Sequence, residues 1–177
     1  DSLPSIPVGS AEDFHYKGLS PSYEAKDAPF EAPDELLLVK DMTEERFKVL
    51  KDYITLYGEG KVNINTASRP VLLALGLGED ITDKIIYFRA GPDRIEGTKD
   101  DNIFKAPSEI VPKLYQAYSL NEARKEWLSS IVERYFVCDS GFFSITSLAN
   151  LSDKKYVKGA TCVVDRNGKI FYWRQDN

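Results

Sequence analysis

The sequence predicts an α+β fold in which a helical region precedes a small antiparallel sheet. Between residues 28 and 133, apolar residues recur at helical spacing. Beyond Arg134 the apolar period changes to two, and Asn167-Gly168 favours a tight hairpin because both residue types tolerate positive φ. The predicted strands are Tyr135 to Cys138, Phe142 to Leu148, Tyr156 to Val164 and Lys169 to Trp173.

These patterns divide the chain into three predicted parts. Residues 1–27 combine proline and glycine with scattered polar residues, which favours loops. Residues 28–133 form the predicted helical domain, and residues 134–177 form the β region. The elements predicted in the middle part are a short helix at Leu36–Val39, a helix that Thr43 caps, a brief strand at Tyr53–Tyr57, a helix from Pro107 that Pro112 interrupts or shortens, and a helix that Ser119 and Glu122 begin as a capping-box pair.

Residues Val62–Ala67 carry the most information in the chain, because they end an extended segment and lead into a helix. Thr66 or Ser68 can accept a hydrogen bond from an early helical N–H. The Gly-Leu-Gly segment at residues 76–78 permits the positive φ that separates this helix from the next, which Asp80 is predicted to cap. The apolar residues that the two helices are predicted to bury together are Leu72, Leu73, Leu75, Ile81, Ile85, Ile86 and Phe88.

The composition limits the classes of function. The chain has 177 residues, enough for a substantial core, and a net charge of −5 with acidic and basic residues interspersed. No sustained positive field is therefore available for nucleic acid or anionic lipid, and no apolar run approaches the roughly 20 residues that span a bilayer. Two cysteines, Cys138 and Cys162, permit one disulfide in an oxidising compartment but do not require it.

Catalysis is not predicted. General acid–base or nucleophilic chemistry needs a positioned group with a suitable partner, and the sequence has one histidine, His15, in its loop-rich beginning. Neither cysteine lies in a recognisable nucleophile setting, and no Gly-x-x-x-x-Gly-Lys phosphate loop occurs.

One loop, residues 91–102, carries a candidate metal site. Its carboxylates and carbonyls are hard oxygen ligands, which suit Ca²⁺. An ion there would be structural, neutralising carboxylate repulsion and holding the loop. The spacing differs from that of an EF-hand loop, and the alternative is an ordinary surface loop in which aspartates cap turns. The candidate side-chain ligands are Asp93, Asp100 and Asp101, the further candidates are Glu96 and Asn102, and Ile95 or Thr98 would contribute a carbonyl.

Two parts of the sequence together resemble a known family. Asn63–Ala67, followed by leucines and Gly-Leu-Gly, resembles a helix-hairpin-helix unit. Upstream, Tyr23, Lys26, Ala28–Phe30 and Glu35–Thr43 resemble the large minor pseudopilin of type II secretion, called component K. The resemblance spans residues 23 to 90.

The resemblance to component K implies a fold, a function and partners. The implied fold is a helical (SAM-like, helix-hairpin-helix) domain inserted into a pilin-like antiparallel sheet, and the family is associated with bound calcium. The implied function is structural, as a subunit at the tip of the type II secretion pseudopilus that initiates or caps fibre assembly. The implied partners are the minor pseudopilins called I and J, with secreted cargo as a further candidate.

The same resemblance implies a location. Family members begin with a short processed leader and an apolar helix that anchors them in the inner membrane. The sequence starts at Asp1 without such a helix, which suggests a truncated soluble form. The expected location is therefore the periplasm of a Gram-negative bacterium, with contact to the membrane only through the missing N-terminal helix.

The alternative function is a DNA-binding module, because a helix-hairpin-helix can offer backbone N–H groups to a phosphate. Here Glu79, Asp80 and Asp83 surround that position and oppose the phosphate charge. Lys84 and Arg89 are too few to reverse the field. No nucleic-acid partner is therefore expected.

Overall fold

The computed structural model describes residues 11–150 and 157–176 and confirms the predicted α+β class. Helices precede an antiparallel sheet of three strands. The helices are α1 Ala11–Lys17, a 3₁₀ helix Pro33–Leu38, α2 Glu44–Leu50, α3 Arg69–Ala74, α4 Gly78–Arg89, α5 Pro107–Tyr118 and α6 Glu122–Tyr135. The strands are β1 Val62–Asn63, β2 Phe136–Val137, β3 Phe142–Asn150, β4 Val157–Asp165 and β5 Ile170–Asp176.

The chain forms two compact units that divide between Leu56 and Tyr57. The first contains α1, the 3₁₀ helix and α2, and the second contains the remaining helices and all of the described strands. The predicted domain boundaries after residues 27 and 133 stay predictions.

The structure corrects two predictions in the first unit and at its boundary. Residues 11–17 form α1 inside the segment predicted as loop, because this stretch itself lacks the proline and glycine that flank it. Tyr53–Tyr57 does not form a strand, since the Tyr53 N–H bonds to the Leu50 carbonyl and continues the turn that ends α2. The Thr43 cap is confirmed, because its hydroxyl accepts from the Arg46 N–H at 3.3 Å.

The core of the second unit lies among α3, α4, α5 and α6. It joins the two helices of the predicted hairpin to the later pair, so the hairpin is one side of a four-helix cluster rather than a free-standing motif. Its fully buried large residues are Ile64, Leu72, Leu77, Ile81, Ile85, Phe104, Ile110, Leu114, Leu128 and Phe136.

The hairpin turns as predicted, but its helices begin differently. Gly76 and Gly78 have φ of +83° and +69°, as expected for the Gly-Leu-Gly segment. Ser68 occupies the N-cap position of α3, yet its side chain makes no capping hydrogen bond. Asp80 does not cap α4, because the glycine lets the helix begin at residue 78 and places Asp80 in its first turn.

The later helices also correct two predictions. α5 continues through Pro112 to Tyr118, because Ile110 and Leu114 on either side of the proline are fully buried in the core. Ser119 does not begin α6; it ends α5 in a left-handed conformation with φ of +49°. The cap of α6 is Asn121, whose side chain accepts from the Arg124 N–H at 2.9 Å.

Buried Thr82 on α4 leads to a stability prediction. Its side chain is fully buried, and its hydroxyl has no hydrogen-bond partner among the described residues. Replacing Thr82 by valine removes an unpaired buried hydroxyl at nearly constant volume, so the free energy of unfolding is expected to rise by about 1 kcal/mol. Urea unfolding measures this change. The control is Thr146→Val on β3, expected to stay near wild type because its hydroxyl is exposed and water can replace its 3.3 Å bond to the Thr161 hydroxyl. A less stable Thr82→Val protein would contradict the prediction.

One predicted strand joins the helical core instead of the sheet. β2 pairs in parallel with β1, with Val62 opposite Phe136 and Asn63 opposite Val137. Phe136 is buried in the helical core. Pairing β2 with the exposed three-stranded sheet instead would remove this side chain from the core, so β2 stays with β1. The segment predicted as the first strand of the sheet is therefore a short bridge within the helical part.

The remaining predicted strands form an antiparallel sheet in the order β3-β4-β5. Tyr156, the predicted first residue of one strand, lies outside the described residues. At the predicted Asn167-Gly168 turn only Gly168 has positive φ, at +81°. The Asp165 carboxylate accepts from the N–H groups of Asn167 and Lys169, at 2.8 and 2.9 Å, and closes this turn.

One face of the sheet is apolar and open to solvent in the described structure. The register aligns Ile145, Cys162 and Trp173 across the three strands. Ile145 is 51% exposed and Trp173 is 60% exposed. Cys138 and Cys162 are both free thiols, so the disulfide left open by the sequence is not formed here.

Candidate functional site

The acidic loop, residues 91–102, is fastened at its base to the end of α4. The Asn102 backbone N–H and side-chain amide donate to the carbonyls of Arg89 and Phe88, each at 2.9 Å. Opposite them Gly91 has φ of +61°, and a Cβ there would overlap the Asp100 carbonyl oxygen and lie 2.9 Å from its carbon. The two ends of the acidic loop therefore meet at a point that only glycine fits.

Three acceptor oxygens converge on one hydroxyl inside the acidic loop. Thr98 Oγ1 lies 3.2 Å from the Ile95 carbonyl oxygen, 2.6 Å from Asp100 Oδ1 and 3.4 Å from Asp101 Oδ1. A hydroxyl carries one proton and donates one hydrogen bond. The cluster therefore holds more acceptor oxygens than its own donor can pair; because it is exposed, either water or a hard cation would satisfy them.

Backbone N–H groups hold the carboxylates of this cluster. Asp93 Oδ1 accepts from the Ile95 N–H at 2.8 Å, Asp100 Oδ2 from the Asp93 N–H at 3.1 Å, and Asp101 Oδ2 from the Gly97 N–H at 2.7 Å. The Thr98 hydroxyl, followed by the Asp93 N–H, lowers the pKa of the Asp100 carboxyl below its ordinary value. Asp100 is therefore fully ionised at neutral pH, as a metal ligand must be.

The predicted ligand residues are brought together only in part. Ile95, Thr98, Asp100 and Asp101 converge, whereas Asp93 contacts Asp100 through its backbone N–H and its carboxylate accepts from the Ile95 N–H. The further candidates lie elsewhere, since Glu96 pairs with Arg89 and Asn102 closes the base of the loop. In residues 11–150 and 157–176, no three aspartate, glutamate, histidine or cysteine side chains form a metal-binding group. The donor set is all oxygen and suits calcium in type; the metal site stays a prediction.

Sequence reasoning missed the role of Arg89, which it counted only with Lys84 as a cation near the hairpin. Its side chain is 6% exposed. Nη1 donates to the carbonyls of Ile64 and Ala67, each at 2.8 Å, and Nε donates to Glu96 Oε1 at 2.8 Å. The available signal is that residues 64–67 leave β1 for α3 with carbonyls that need donors, and an arginine ends the neighbouring helix.

Asn65 was recognised only as part of a motif, but the structure makes it a link between distant segments. Its amide nitrogen donates to the carbonyls of Phe104 and Cys138, each at 2.8 Å, and its Oδ1 accepts from the Phe104 N–H at 2.9 Å. One side chain therefore pairs three backbone groups from two other parts of the chain.

A cleft of about 580 Å³ opens beside the acidic loop. Burial, followed by the charges of Glu109 and Asp139, raises the pKa of the Cys138 thiol, so it is protonated at neutral pH. The described residues that line the cleft include no histidine. They include Glu96, Asp101, Cys138, Asp139, Ser140 and Arg166.

The cations of the hairpin are already paired or buried, which leaves little positive charge for a phosphate. Arg69 lies 3.1 Å from Asp83 and 4.0 Å from Glu79. Lys84 pairs with Asp80, and Arg89 is buried against the Ile64 and Ala67 carbonyls. This arrangement is unfavourable for the alternative DNA-binding function.

The family model described as "Type II secretion system (T2SS), protein K" matches residues 1–59, one third of the chain. This range contains the Tyr23 to Thr43 part of the resemblance and ends before the hairpin. The crystal structure of the GspK-GspI-GspJ complex from the enterotoxigenic Escherichia coli type 2 secretion system contains a chain with the same fold, with a TM-score of 0.61. The predicted resemblance to component K is confirmed.

The likeness of this component K-like chain to the solved structure has defined limits. At 15% identity it shows the fold alone. It covers 98% of this chain but 59% of the solved one, so the chain spans less than two thirds of the protein it matches. No curated protein matches the chain. Within the described ranges, no helix combines the length and the apolar character needed to cross a bilayer.

Proposed function

We propose that this chain is the globular part of a minor pseudopilin that lies at the tip of a type II secretion pseudopilus and initiates or caps its assembly. The observation that carries the proposal is the match of residues 1–59 to the protein K model. The common fold with a chain of the GspK-GspI-GspJ structure supports it. A physical reason is that helices α3 to α6 add bulk to the sheet-bearing unit, and a bulky subunit fits best where no further subunit stacks on it.

The proposed partners are the minor pseudopilins that correspond to GspI and GspJ, because the solved structure with the same fold is a complex of GspK with those two proteins. Secreted cargo remains a further candidate. The test is to mix the purified chain with its I and J counterparts and to measure co-elution in size-exclusion chromatography. A stoichiometric complex is expected. No complex among intact, folded proteins would contradict the proposal.

The proposed location is the periplasm, on a protein held in the inner membrane by a segment outside this sequence. The proposed role is architectural and not enzymatic. In the cleft beside the acidic loop a cysteine nucleophile is disfavoured, since burial and acidic neighbours raise the pKa of the Cys138 thiol.

We also propose that the acidic loop binds a structural Ca²⁺ ion. Asp100 and Asp101 would supply carboxylates, Ile95 its carbonyl and Thr98 its hydroxyl, with Asp93 as a further candidate. The support is the excess of acceptor oxygens over donors around Thr98. When bound, the ion would offset the repulsion between adjacent carboxylates and hold the loop closed.

Calcium should therefore raise the thermal unfolding temperature of the wild-type protein, and Asp100→Ala should remove most of that rise. The reason is that an ion that binds only the folded state stabilises it by mass action. Differential scanning fluorimetry with CaCl₂ or with a chelator measures the effect. Asp52→Ala, an exposed acidic position outside the loop, is the control and should keep the full calcium response. Equal responses of wild type and Asp100→Ala would refute the assignment.

A further inference from the structure

The buried Arg89 side chain contacts two places that are separate in the sequence. On one side its guanidinium donates to the carbonyls of Ile64 and Ala67, in the segment that leads into the hairpin. On the other side it donates to the Glu96 carboxylate in the middle of the acidic loop. A guanidinium is a planar group with five N–H donors, so one side chain can bond to the two carbonyls and to the carboxylate simultaneously.

The contact with Glu96 fixes the loop next to the oxygen cluster. Glu96 lies between Ile95, whose carbonyl is one of the converging oxygens, and Gly97, whose N–H holds the Asp101 carboxylate at 2.7 Å. The bond to Glu96 therefore helps to position its two neighbours, the Ile95 carbonyl and the Gly97 N–H. It also keeps this carboxylate away from the cluster, which it would otherwise crowd with a further negative charge.

The base of the acidic loop reinforces the same connection. The Arg89 carbonyl accepts from the Asn102 N–H at 2.9 Å. Arg89 therefore bonds both to the middle of the acidic loop, through its side chain, and to the end of the loop, through its backbone. The Arg89 side chain is 6% exposed, so water competes little for its bonds to the buried Ile64 and Ala67 carbonyls, whereas its partner Glu96 is 49% exposed.

We propose that Arg89 is a positioning residue for the calcium site, and that its simultaneous contacts with Glu96 and with the Ile64 and Ala67 carbonyls couple ion binding in the acidic loop to the stability of the hairpin. This inference rests on the calcium site proposed above. Coupling of this kind is reciprocal: whatever orders the hairpin strengthens ion binding, and the ion in turn stabilises the hairpin.

Arg89→Lys tests the positioning role through calcium affinity. Lysine keeps the charge but lacks the fork, so it cannot hold Glu96 and both carbonyls together. Isothermal titration with CaCl₂ is expected to show at least a tenfold weaker affinity than wild type. Arg94→Lys is the matched control, since Arg94 is in the same loop but stacks over the Tyr87 ring, and its affinity should stay near wild type. Unchanged or tighter binding by Arg89→Lys, as expected if the released Glu96 became a ligand, would overturn the proposal.

Glu96→Gln tests the coupling in a protein that keeps the arginine contacts to the hairpin. Hydrogen exchange is followed at the Ala67 amide, which donates to the Asn63 carbonyl at 2.9 Å. Saturating calcium should slow exchange at Ala67 in wild type, whereas in Glu96→Gln the slowing should be confined to the acidic loop. Slowing at Ala67 that persists in Glu96→Gln would overturn the coupling, and this readout also serves if Arg89→Lys fails to fold.

The outcome for calcium is separable from the outcome for assembly. A wild-type protein that shows no response to calcium would overturn the calcium site and this inference together. The proposed pseudopilin function would be judged independently by formation of the complex with the I and J counterparts.

Discussion

Asn65→Asp is expected to lower the free energy of unfolding by about 4 kcal/mol at neutral pH, since it removes two donors and buries charge beside carbonyls. The change keeps the size of the side chain. It takes away the amide hydrogens that Phe104 and Cys138 accept, each at 2.8 Å, and places a carboxylate oxygen against those two carbonyl oxygens. Urea unfolding followed by circular dichroism measures the loss.

The control for this variant is Asn63→Asp, the same substitution two residues earlier. The Asn63 amide nitrogen donates to the Ser140 hydroxyl at 2.9 Å. A hydroxyl can turn and donate instead, so Asn63→Asp should cost far less than Asn65→Asp. Equal losses for the two variants would contradict the role assigned to Asn65.

The pH dependence gives Asn65→Asp a second signature. The carbonyls around the new carboxyl favour its neutral form, so its pKa in the folded state lies above its value in the unfolded state. As pH falls through that raised pKa, the folded state binds the proton first, and the stability deficit relative to wild type narrows. A deficit that widens on acidification would contradict this reasoning.

Gly91→Ala is expected to cost about 3 kcal/mol, combining a left-handed backbone with a steric overlap. The φ of +61° already disfavours alanine, and the new Cβ would overlap the backbone carbonyl of Asp100. Because that neighbour is backbone, relief requires the base of the acidic loop to open. Thermal unfolding should report the loss, and calcium should restore less stability than it gives to wild type.

The control is Gly97→Ala in the same loop. Gly97 also has positive φ, at +91°, but a Cβ there would have no atom within 4 Å. Its cost should be limited to backbone strain of about 1–2 kcal/mol. If Gly97→Ala were as damaging as Gly91→Ala, the close approach at Asp100 would not be the cause.

Local features of the fold could be predicted because their causes are local. Glycines with positive φ mark the turn between α3 and α4, and alternation with period two marks β3, β4 and β5. The cap of α6 was misassigned because Ser119 and Asn121 are both good capping residues, and only the left-handed conformation of Ser119 decides between them.

Contacts between distant segments could not be predicted in the same way. The parallel pairing of β1 with β2 has no signal in either strand, since each is two residues long. For the acidic loop, the residue types indicated calcium, but the diversion of Glu96 to Arg89 depends on where α4 ends in space. The sequence shows which oxygen-bearing residues the loop contains, but only the folded structure shows which of them lie close together.

The bridge between β1 and β2 has a consequence for the order of folding. Asn65 and Cys138 are 73 positions apart, and Phe136 completes the core from the far end of this interval. Closing so long an interval is entropically costly and slows folding, whereas the α3–α4 turn can form early from neighbouring residues. During synthesis, the helical core therefore stays accessible to water until residues 136–138 have been made. A helical fragment that ends at residue 133 would lack Phe136, and its core would stay accessible to water.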